Sequence, residues 1–404
     1  MLRAGTFIYA LFIMFIVSML TLLFLSQTRL FSNEISRMQV RERLEENCIS
    51  AINYALARPS QSFQGGTAID LFGKGKDSVL IRKYTWGLMD VISVRAKHHD
   101  QQRNKTALLG YRPADSLKTA LYLTNSESAL HISGETRIRG NVFLPEAGVK
   151  RAYIAGASYF GDSLIYGKQF VSKKTLPLSI NAKGWDILGQ QPANEISDWE
   201  VIENSFADST IVLTDFEEVY LEDITLKGNI LISSESLVEI HPTAVLEDVI
   251  VKAPVIRVKK GANISAQLLA ADTLIIEEDC VLHYPSIIAV RSEQRGFIAI
   301  AGNTKVYGDL WYKSGKDPGS TSIDVHIDKE VSLTGRLMVE RGNLQLRGKV
   351  RGEVYAEDLI LHHPVGIYKN HLLSVQIDRR ALWKPYLFPV KARENDKANV
   401  IKWL

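Results

Sequence analysis

The sequence predicts a mainly β protein with three parts: a long N-terminal transmembrane α-helix, a small antiparallel β region and a single-stranded parallel β-helix, or β-solenoid. Two observations carry this prediction, an uncharged apolar run near the N-terminus and a repeat in the middle of the chain. In the repeat, apolar strand starts fall at Val219, Leu237, Ile256 and Leu274, which are 18, 19 and 18 residues apart. A constant period near 20 residues is typical of stacked structural units.

Each repeat unit alternates Val, Ile and Leu with polar residues and is interrupted by turn residues such as Gly228-Asn229 and His241-Pro242. This is the period-two pattern of strands with polar corners. One such unit cannot bury its own apolar face, so neighbouring units must stack and share a core. A β-sandwich also has short strands at intervals of about 8–12 residues, but the constant spacing of whole units favours the solenoid.

The domain boundaries follow from these patterns. We expect a transmembrane and amphipathic helix over 1–59, a small antiparallel β region over 60–119, a β-solenoid over 120–380 with an insertion at about 148–208, and a C-terminal cap or tail over 381–404. The stretch from Ala120 to Pro145 is expected to open the solenoid, because its Arg-Gly-Asn-Val corner resembles the Lys-Gly-Asn-Ile corner of a later unit.

Composition excludes several function classes. The 404 residues carry 48 basic and 45 acidic side chains, so the net charge is only +3 and nucleic acid is not an expected partner. Two cysteines far apart in sequence, Cys48 and Cys280, form neither a disulfide framework nor a metal cluster. Cys280 falls at a strand position where a small buried thiol is expected.

The N-terminal run has no charged residue between Arg3 and Arg29. In a helix, the residues from Thr6 to Thr28 rise about 35 Å, enough to cross a hydrocarbon core of about 30 Å. A cleaved signal peptide would have a shorter apolar region of about 7–15 residues. Apolar residues then recur at three- and four-residue intervals as far as Ala57, so the helix is expected to continue beyond the membrane.

The short leader Met1-Leu2-Arg3-Ala4-Gly5, followed at once by this helix, resembles the N-terminus of type IV pilins and pseudopilins. The resemblance implies cleavage by a prepilin peptidase after Gly5, which would leave Thr6 as the first residue. Most family members carry Glu at the fifth position after the cut, whereas this chain has Ala10. That difference resembles the atypical minor pilins and pseudopilins. An ordinary single-pass anchor remains the alternative.

A second resemblance lies near the C-terminus. The stretch from Leu346 to Leu361, LRGKVRGEVYAEDLIL, is similar to the repeat of bactofilins, the polymer-forming β-helix scaffolds of bacteria. Glycines nearby, such as Gly335 and Gly352, are expected at tight corners where a side chain would clash. The order of anchor, small β region and β-helix also resembles membrane-anchored proteins of Gram-negative bacteria that have no assigned activity.

The predicted insertion is rich in aromatic residues, and such insertions on repeat scaffolds are common binding surfaces. The candidate partner surface consists of Tyr153, Tyr159, Phe160, Tyr166 and Trp185. The alternative is a flap that packs over the first unit and caps it.

Three other groups of residues are candidate chemical sites. The His98-His99-Asp100 cluster contains residue types that bind metals, but its polar surroundings favour a hairpin tip. The acidic run Glu277-Glu278-Asp279 could serve hydrolysis only if carboxylates converge, and acidic corners are usually solvated. His362-His363 precedes a proline, which favours a corner. No nucleotide-binding, phosphate-binding or catalytic motif is present, so we expect no catalytic, cofactor or metal residues.

These patterns lead to one expectation about function: a non-enzymatic, membrane-anchored scaffold component of a bacterial envelope assembly, of the type IV pilus or secretion kind. The expected location is the inner membrane, with a single pass and the C-terminal domain facing the periplasm or the outside. The expected partners are the lipid bilayer and other envelope proteins that contact the helix. A membrane-anchored carbohydrate- or surface-binding protein is the alternative, and a polysaccharide-active enzyme is a more distant one.

Overall fold

A computed structural model of the chain describes residues 4–58, 63, 65–72, 77–113, 118–154, 156–178, 185, 194–195, 200–215, 217–319 and 321–404. The chain divides into two compact units, Met1–Lys83 with Ser93–Lys105 and Tyr84–Ile92 with Thr106–Leu404. The elements are one long apolar helix, a small antiparallel sheet and a parallel β-solenoid of about 11 turns, with 52% of residues in strands. The predicted fold class is confirmed.

The described residues contain one long helix and 28 strands. Before the solenoid come α1 (Ala4–Leu56), β1 (Thr67–Ile69), β2 (Ser78–Trp86), β3 (Met89–His98) and β4 (Gln101–Arg112). The next strands are β5 (Thr119–Leu123), β6 (Leu130–Ser133), β7 (Arg137–Arg139), β8 (Asn141–Leu144), β9 (Val149–Arg151), β10 (Gln169–Val171), β11 (Asn194–Glu195), β12 (Val201–Asn204), β13 (Ile211–Asp215) and β14 (Val219–Leu221).

The remaining strands complete the solenoid and return to the small sheet. They are β15 (Thr225–Ser234), β16 (Leu237–Ile240), β17 (Val245–Val258), β18 (Asn263–Ile276), β19 (Val281–Ser292), β20 (Phe297–Ile300), β21 (Lys305–Ser314), β22 (Val325–Ile327), β23 (Ser332–Leu346), β24 (Lys349–His363), β25 (Gly366–Lys369), β26 (His371–Leu373), β27 (Gln376–Asp378) and β28 (Lys397–Trp403). The small sheet has the order β1-β2-β3-β4-β28.

The C-terminal part of α1 packs within the first unit. Leu44, Cys48 and Ile52, spaced four residues apart on one face of the helix, are fully buried. The Cys48 thiol lies against backbone carbonyls of β3 and β4. The amide of Asn47 donates to Asp77 at 2.9 Å. The helix therefore enters the folded unit by apolar burial and a side-chain hydrogen bond, as the three- and four-residue spacing predicted.

Each turn of the solenoid has three faces. In β17, residues 245–247 form the first face, 249–252 the second and 255–258 the third, and each stretch pairs in parallel with β18 of the next turn or β15 and β16 of the preceding one. Side chains alternate between the interior and the outside, as on any strand. The interior is a continuous apolar core that follows the whole coil.

The interior column of the third face tests the predicted repeat directly. Val219, Val238, Ile256 and Leu274 lie at paired positions, and all four are buried. The predicted strand start at Leu237 is the first residue of β16, and the side chain that fills the core is that of its neighbour Val238, because Leu237 is only partly buried. Cys280 is fully buried, as predicted.

The order of turns along the coil axis differs from the order in the sequence. The stretch after Thr119 does form turns, but they stack on the C-terminal turn and do not precede β14. The parallel pairs at this junction are Val354 with Leu121, His371 with His131 and Ile377 with Ile138. Residues 200–378 are therefore followed, along the axis, by residues 119–171. The chain leaves the coil near the point at which it entered.

The predicted insertion at 148–208 consequently has several roles. Its strands β9, β10 and β12 belong to turns of the coil. The loop between β9 and β10 covers the interior at the last turn, where Ile154, Tyr159 and Ile165 are buried. Residues 179–184, 186–193 and 196–199 of the predicted insertion lie outside the described residues.

One corner of the coil is built from stacked glycines, as the sequence indicated. Gly308, Gly335 and Gly352 pair with one another in successive turns and have φ angles of 150°, 145° and 156°. A Cβ added at Gly335 would lie 1.8 Å from the carbonyl oxygen of Gly308. Only glycine fits a corner where the backbones approach so closely.

A second core lies on the outside of the second face. Ile250, Trp311 and Tyr355 point outward there, yet they are buried beneath the β2–β3 turn region and the C-terminal tail. We call residues 379–396 the C-terminal strap. The strap runs over the side of the coil, where Tyr386 donates to the Thr334 carbonyl at 3.1 Å and Tyr284 donates to the Leu387 carbonyl at 2.7 Å. The expected cap or tail is thus a cover along the side.

Candidate interaction surfaces

The apolar part of α1 is the largest exposed hydrophobic surface in the described residues. Its side chains from Phe7 to Leu25 are mostly more than half exposed, and none of its most apolar window is buried. By length and composition, this helix could cross a membrane. The core helix of a soluble protein would instead be covered by other elements, because exposing a continuous apolar helix to water is costly.

The predicted processing position lies at the start of this helix. Gly5 and Thr6 are both helical, and Gly5 is exposed, with open space within 4 Å of the point where a Cβ would lie. Ala10 follows on the same helix and is exposed. Nothing in the fold distinguishes cleavage after Gly5 from an intact anchor, so processing remains a prediction.

The five aromatic residues of the predicted partner surface lie in different environments. Tyr153 and Phe160 are exposed at the last turn of the coil, at 71% and 72%. Tyr159 is buried in the coil interior, and its hydroxyl donates to the Ser163 carbonyl at 2.5 Å.

The other two aromatic residues, Tyr166 and Trp185, lie at different turns of the coil. Tyr166 is partly buried on the last turn, where its backbone carbonyl accepts from Arg380 at 2.9 Å. Trp185 is buried in the second core, and Lys252 donates to its carbonyl at 3.3 Å. Lys252 belongs to one of the first turns, eight paired turns before the last one, and at a spacing of about 4.8 Å per turn the two are about 38 Å apart. The structure therefore brings Tyr153, Tyr159 and Phe160 together but not Trp185, and partner binding remains a prediction.

A buried charge cluster attaches the strap to the coil. Arg336 Nε lies 3.3 Å from Glu353 Oε2, and Arg379 Nε lies 2.9 Å from Glu353 Oε1. Asp309 accepts from the backbone N–H groups of Arg336 at 3.2 Å and Val390 at 3.3 Å. Each buried charge thus has a partner, which is the condition under which buried ions are tolerated.

The environment of this cluster favours a structural role. Burial raises the pKa of Asp309 to about 6, although the Arg336 charge and the two backbone donors oppose that rise. The strap covers the cluster, and Arg336 and Glu353 are at most 2% exposed. Sequence reasoning missed these residues. Their signal is positional, because Asp309, Arg336 and Glu353 each directly follow a glycine of the stacked corner.

A buried glutamine fixes the β2–β3 turn to the coil. The side-chain amide of Gln267, which is 1% exposed, accepts from Leu88 N at 2.7 Å and donates to the Trp86 carbonyl at 3.0 Å. Both partners lie in a tight turn at Gly87, whose φ is 60°. One buried amide therefore satisfies two backbone groups that the turn leaves without strand partners.

The acidic corner at Glu277, Glu278 and Asp279 is paired with cations of the preceding turn. Lys259 lies 2.7 Å from Glu277, and Lys260 lies 3.0 Å from Glu278. The hydrogen bond from Lys259 lowers the pKa of Glu277, whereas a general acid requires a raised pKa. The adjacent third face has a shallow depression of about 350 Å³, lined by side chains that include Ile275, Ala299 and His326.

The two histidine clusters lie at turns. His98 bonds Asp77 at 2.7 Å, and His99 and Asp100 form the exposed turn between β3 and β4. His363 closes the β24–β25 hairpin opposite Gly366. Within the described residues, no group of three or more His, Cys, Asp or Glu side chains could hold a metal ion.

Comparison with known proteins adds little to these observations. No family model matches the chain, and no curated protein matches it in sequence. Among solved structures, the chain is similar to the crystal structure of the competence-associated pilin ComZ from Thermus thermophilus, at 9% identity over 90% of this chain and 95% of that chain. The TM-score is 0.21. A value this low establishes neither a shared fold nor a shared function.

Proposed function

We propose that this protein is a non-enzymatic, membrane-anchored structural component of a bacterial envelope assembly, of a type IV pilus-like or secretion-type kind. It would sit in the inner membrane with one pass and hold its solenoid on the periplasmic or outer side. The N-terminal helix would contact lipid and the helices of other envelope proteins, while the solenoid would present its outer faces.

The observation that supports this proposal best is the continuity of α1. One helix, Ala4–Leu56, is exposed and apolar in its first half and packed within a folded unit in its second. No turn separates the two parts. A helix of this kind holds that unit at a fixed distance from the membrane, because an α-helix rises about 1.5 Å per residue and bends little without a proline or glycine kink.

The carboxylates of the coil give no support to an enzyme. Glu277, Glu278 and Asp279 pair with Lys259 and Lys260, so they do not form a convergent acid and base pair. The buried cluster at Asp309 lies beneath the strap, where a substrate would have to displace it. In a structural protein the acidic corner is simply a solvated turn, and the buried cluster attaches the strap to the coil.

A surface-binding function is the second candidate, and one observation favours it. Tyr153 and Phe160 are exposed at the last turn of the coil, near Arg151, which is also exposed. Exposed aromatic rings beside a cation are suited to flat, polar ligands such as carbohydrates. Loss of binding to envelope glycans in a Tyr153→Ala/Phe160→Ala variant would support this candidate.

The test of the proposed assembly is site-specific photocrosslinking in native membranes. A crosslinker at Leu20, on the apolar part of α1, should give adducts with other envelope proteins, whereas one at Lys316, exposed on the coil, should give fewer. Adducts with lipid alone from Leu20, Leu11 and Phe24 would remove the assembly from the proposal and leave a plain anchor.

A further inference from the structure

The first turn of the coil carries a strong negative charge. Residues 200–223 contain eight Asp or Glu side chains and no Lys or Arg. Seven of these carboxylates are exposed: Glu200, Glu203, Asp208, Glu217, Glu218, Glu222 and Asp223. Lys227 of the following turn lies 3.3 Å from Glu203, and that ion pair leaves the excess of negative charge largely in place.

The last turn carries the opposite charge. Residues 149–174 contain five Lys or Arg side chains and one Asp. All five cations are exposed: Lys150, Arg151, Lys168, Lys173 and Lys174. Arg137 and Arg139 of the preceding turn are also exposed, and Arg139 lies 3.3 Å from Asp378. The two ends of one coil thus differ in sign.

Charges between the two ends are nearly balanced, because residues 225–378 contain 17 Lys or Arg and 19 Asp or Glu side chains. Lys259 pairs with Glu277 at 2.7 Å, and Lys313 pairs with Glu340 at 2.7 Å. Pairs of this kind link successive turns along the faces and cancel locally. The excess of one sign is therefore concentrated at the two ends of the coil, whereas the turns between them carry both signs in nearly equal number.

The basic end also has free strand edges. Within the described residues, β9 pairs only with β6, and β10 pairs with β8 on one side. Unpaired edges of a parallel coil can accept another strand in the geometry that every turn already uses. Side chains on these strands, among them Arg151 and Val171, are exposed.

We propose that the basic last turn of one copy binds the acidic first turn of a second copy, head to tail. The complementary charges would steer and orient the encounter, and the contact would be heterologous because two different surfaces meet. A two-fold contact between identical ends would place like charges together, which is unfavourable. This coil contact is separate from the helix contacts of the proposed assembly and does not depend on them.

The experiment uses two full-length variants in detergent solution. Variant one carries Lys150→Glu, Lys168→Glu and Lys174→Glu, so both of its ends are acidic. Variant two carries Glu200→Lys, Asp208→Lys, Glu217→Lys, Glu218→Lys and Asp223→Asn, which leaves four Lys and three acidic side chains in its first turn, so both of its ends are basic. These side chains are exposed, and no intramolecular ion pair involves them in the described residues. A variant with Lys305→Glu, Lys316→Glu and Lys329→Glu, exposed in the middle of the coil, is the control matched in charge to variant one.

Sedimentation at low and high salt measures self-association. The unmodified chain and the control should associate at low ionic strength and dissociate at about 1 M salt, where the screening length falls to about 3 Å. Each end variant alone should bind itself at least about tenfold more weakly, whereas an equimolar mixture of the two should recover association. Recovery also demonstrates that both variants are folded.

Two outcomes would overturn the proposal. One is salt-insensitive association that neither end variant changes, which would assign self-association to α1. The other is a monomer under all conditions, including the mixture. Membrane fractionation of the same variants reports on the anchor independently, so failure of this contact and failure of the proposed function are distinguishable.

Discussion

The stacked glycine corner provides the sharpest test of the coil. Replacing Gly335 by alanine would place a Cβ 1.8 Å from the Gly308 carbonyl oxygen and 2.8 Å from the Tyr386 hydroxyl, at a φ of 145°. A non-glycine residue in such backbone costs about 1–3 kcal/mol. The backbone shift that relieves the overlap costs about 1–3 kcal/mol more. We therefore expect Gly335→Ala to lower the free energy of unfolding by about 2–6 kcal/mol.

The control for this prediction is another corner glycine of the same coil. A Cβ at Gly302 would have no neighbour nearer than 3.7 Å, and its φ is not in the left-handed region. Gly302→Ala should change the free energy of unfolding by no more than about 0.5 kcal/mol. Urea titration followed by circular dichroism compares the two variants. Equal free energies of unfolding for the Gly335→Ala and Gly302→Ala variants would refute the close backbone approach at the stacked glycine corner.

Four further predictions follow from individual contacts. Asp309→Asn should remove a pH dependence of the free energy of unfolding. Because the pKa of Asp309 is raised in the folded chain, the stabilisation by its protonated form is present below about pH 4 and is lost as the pH rises through 6, by at most about 3 kcal/mol. Urea titrations across about pH 4–7 measure this loss. Gln267→Leu should cost about 2–4 kcal/mol, since Leu88 N and the Trp86 carbonyl lose their buried partner; thermal melts measure it. Phe15→Arg should disfavour membrane insertion by about 2–3 kcal/mol, measured by fractionation. Gly5→Arg should block any cleavage before Thr6, measured by intact mass.

Each of these predictions has a contradicting result. Parallel pH profiles for the Asp309 variant and the unmodified chain would show that Asp309 does not titrate in this range. A Gln267 variant as stable as the unmodified chain would show that the Gln267 side chain does not hold the β2–β3 turn against the coil. An insertion free energy that Phe15→Arg leaves unchanged would show that Phe15 does not lie in the hydrocarbon core. An unchanged mature mass in the Gly5 variant would exclude prepilin peptidase processing.

Much of the fold could be predicted because the coil is built from local patterns. Alternation of apolar residues identifies which side chains face the interior, and corner glycines such as Gly335 and Gly352 mark close backbone approaches. The exposed helix could be predicted for the same reason, since length and composition decide whether a segment can span a membrane. Alternation does not decide which of the adjacent apolar residues Leu237 and Val238 faces the interior at the start of β16, and the structure buries Val238.

The order of the turns could not be predicted from these patterns. Every turn presents the same kind of strand edge and the same apolar interior, so local sequence does not specify which turn stacks on which. The pairing of Leu121 with Val354 joins residues 233 positions apart in the sequence, and no local pattern specifies it. The strap cluster was missed for a related reason, because Asp309 and Arg336 meet only through stacking of turns 27 residues apart.

The candidate surfaces were predicted less well than the fold. Aromatic content alone does not distinguish a binding residue from a core residue, and Tyr159 and Trp185 are buried whereas Tyr153 and Phe160 are exposed. The charge difference between the two ends of the coil is invisible in the net charge of +3. It emerges only when the order of turns along the axis is known.

The most direct test of the membrane-anchored structural role is alkaline extraction of native membranes followed by intact-mass analysis. We expect the protein to remain in the membrane pellet with α1 retained, as a chain that begins at Met1 or, after processing, at Thr6. Recovery of a soluble species that lacks the apolar half of α1 would show that this segment is a removable signal, and it would contradict the proposed anchor.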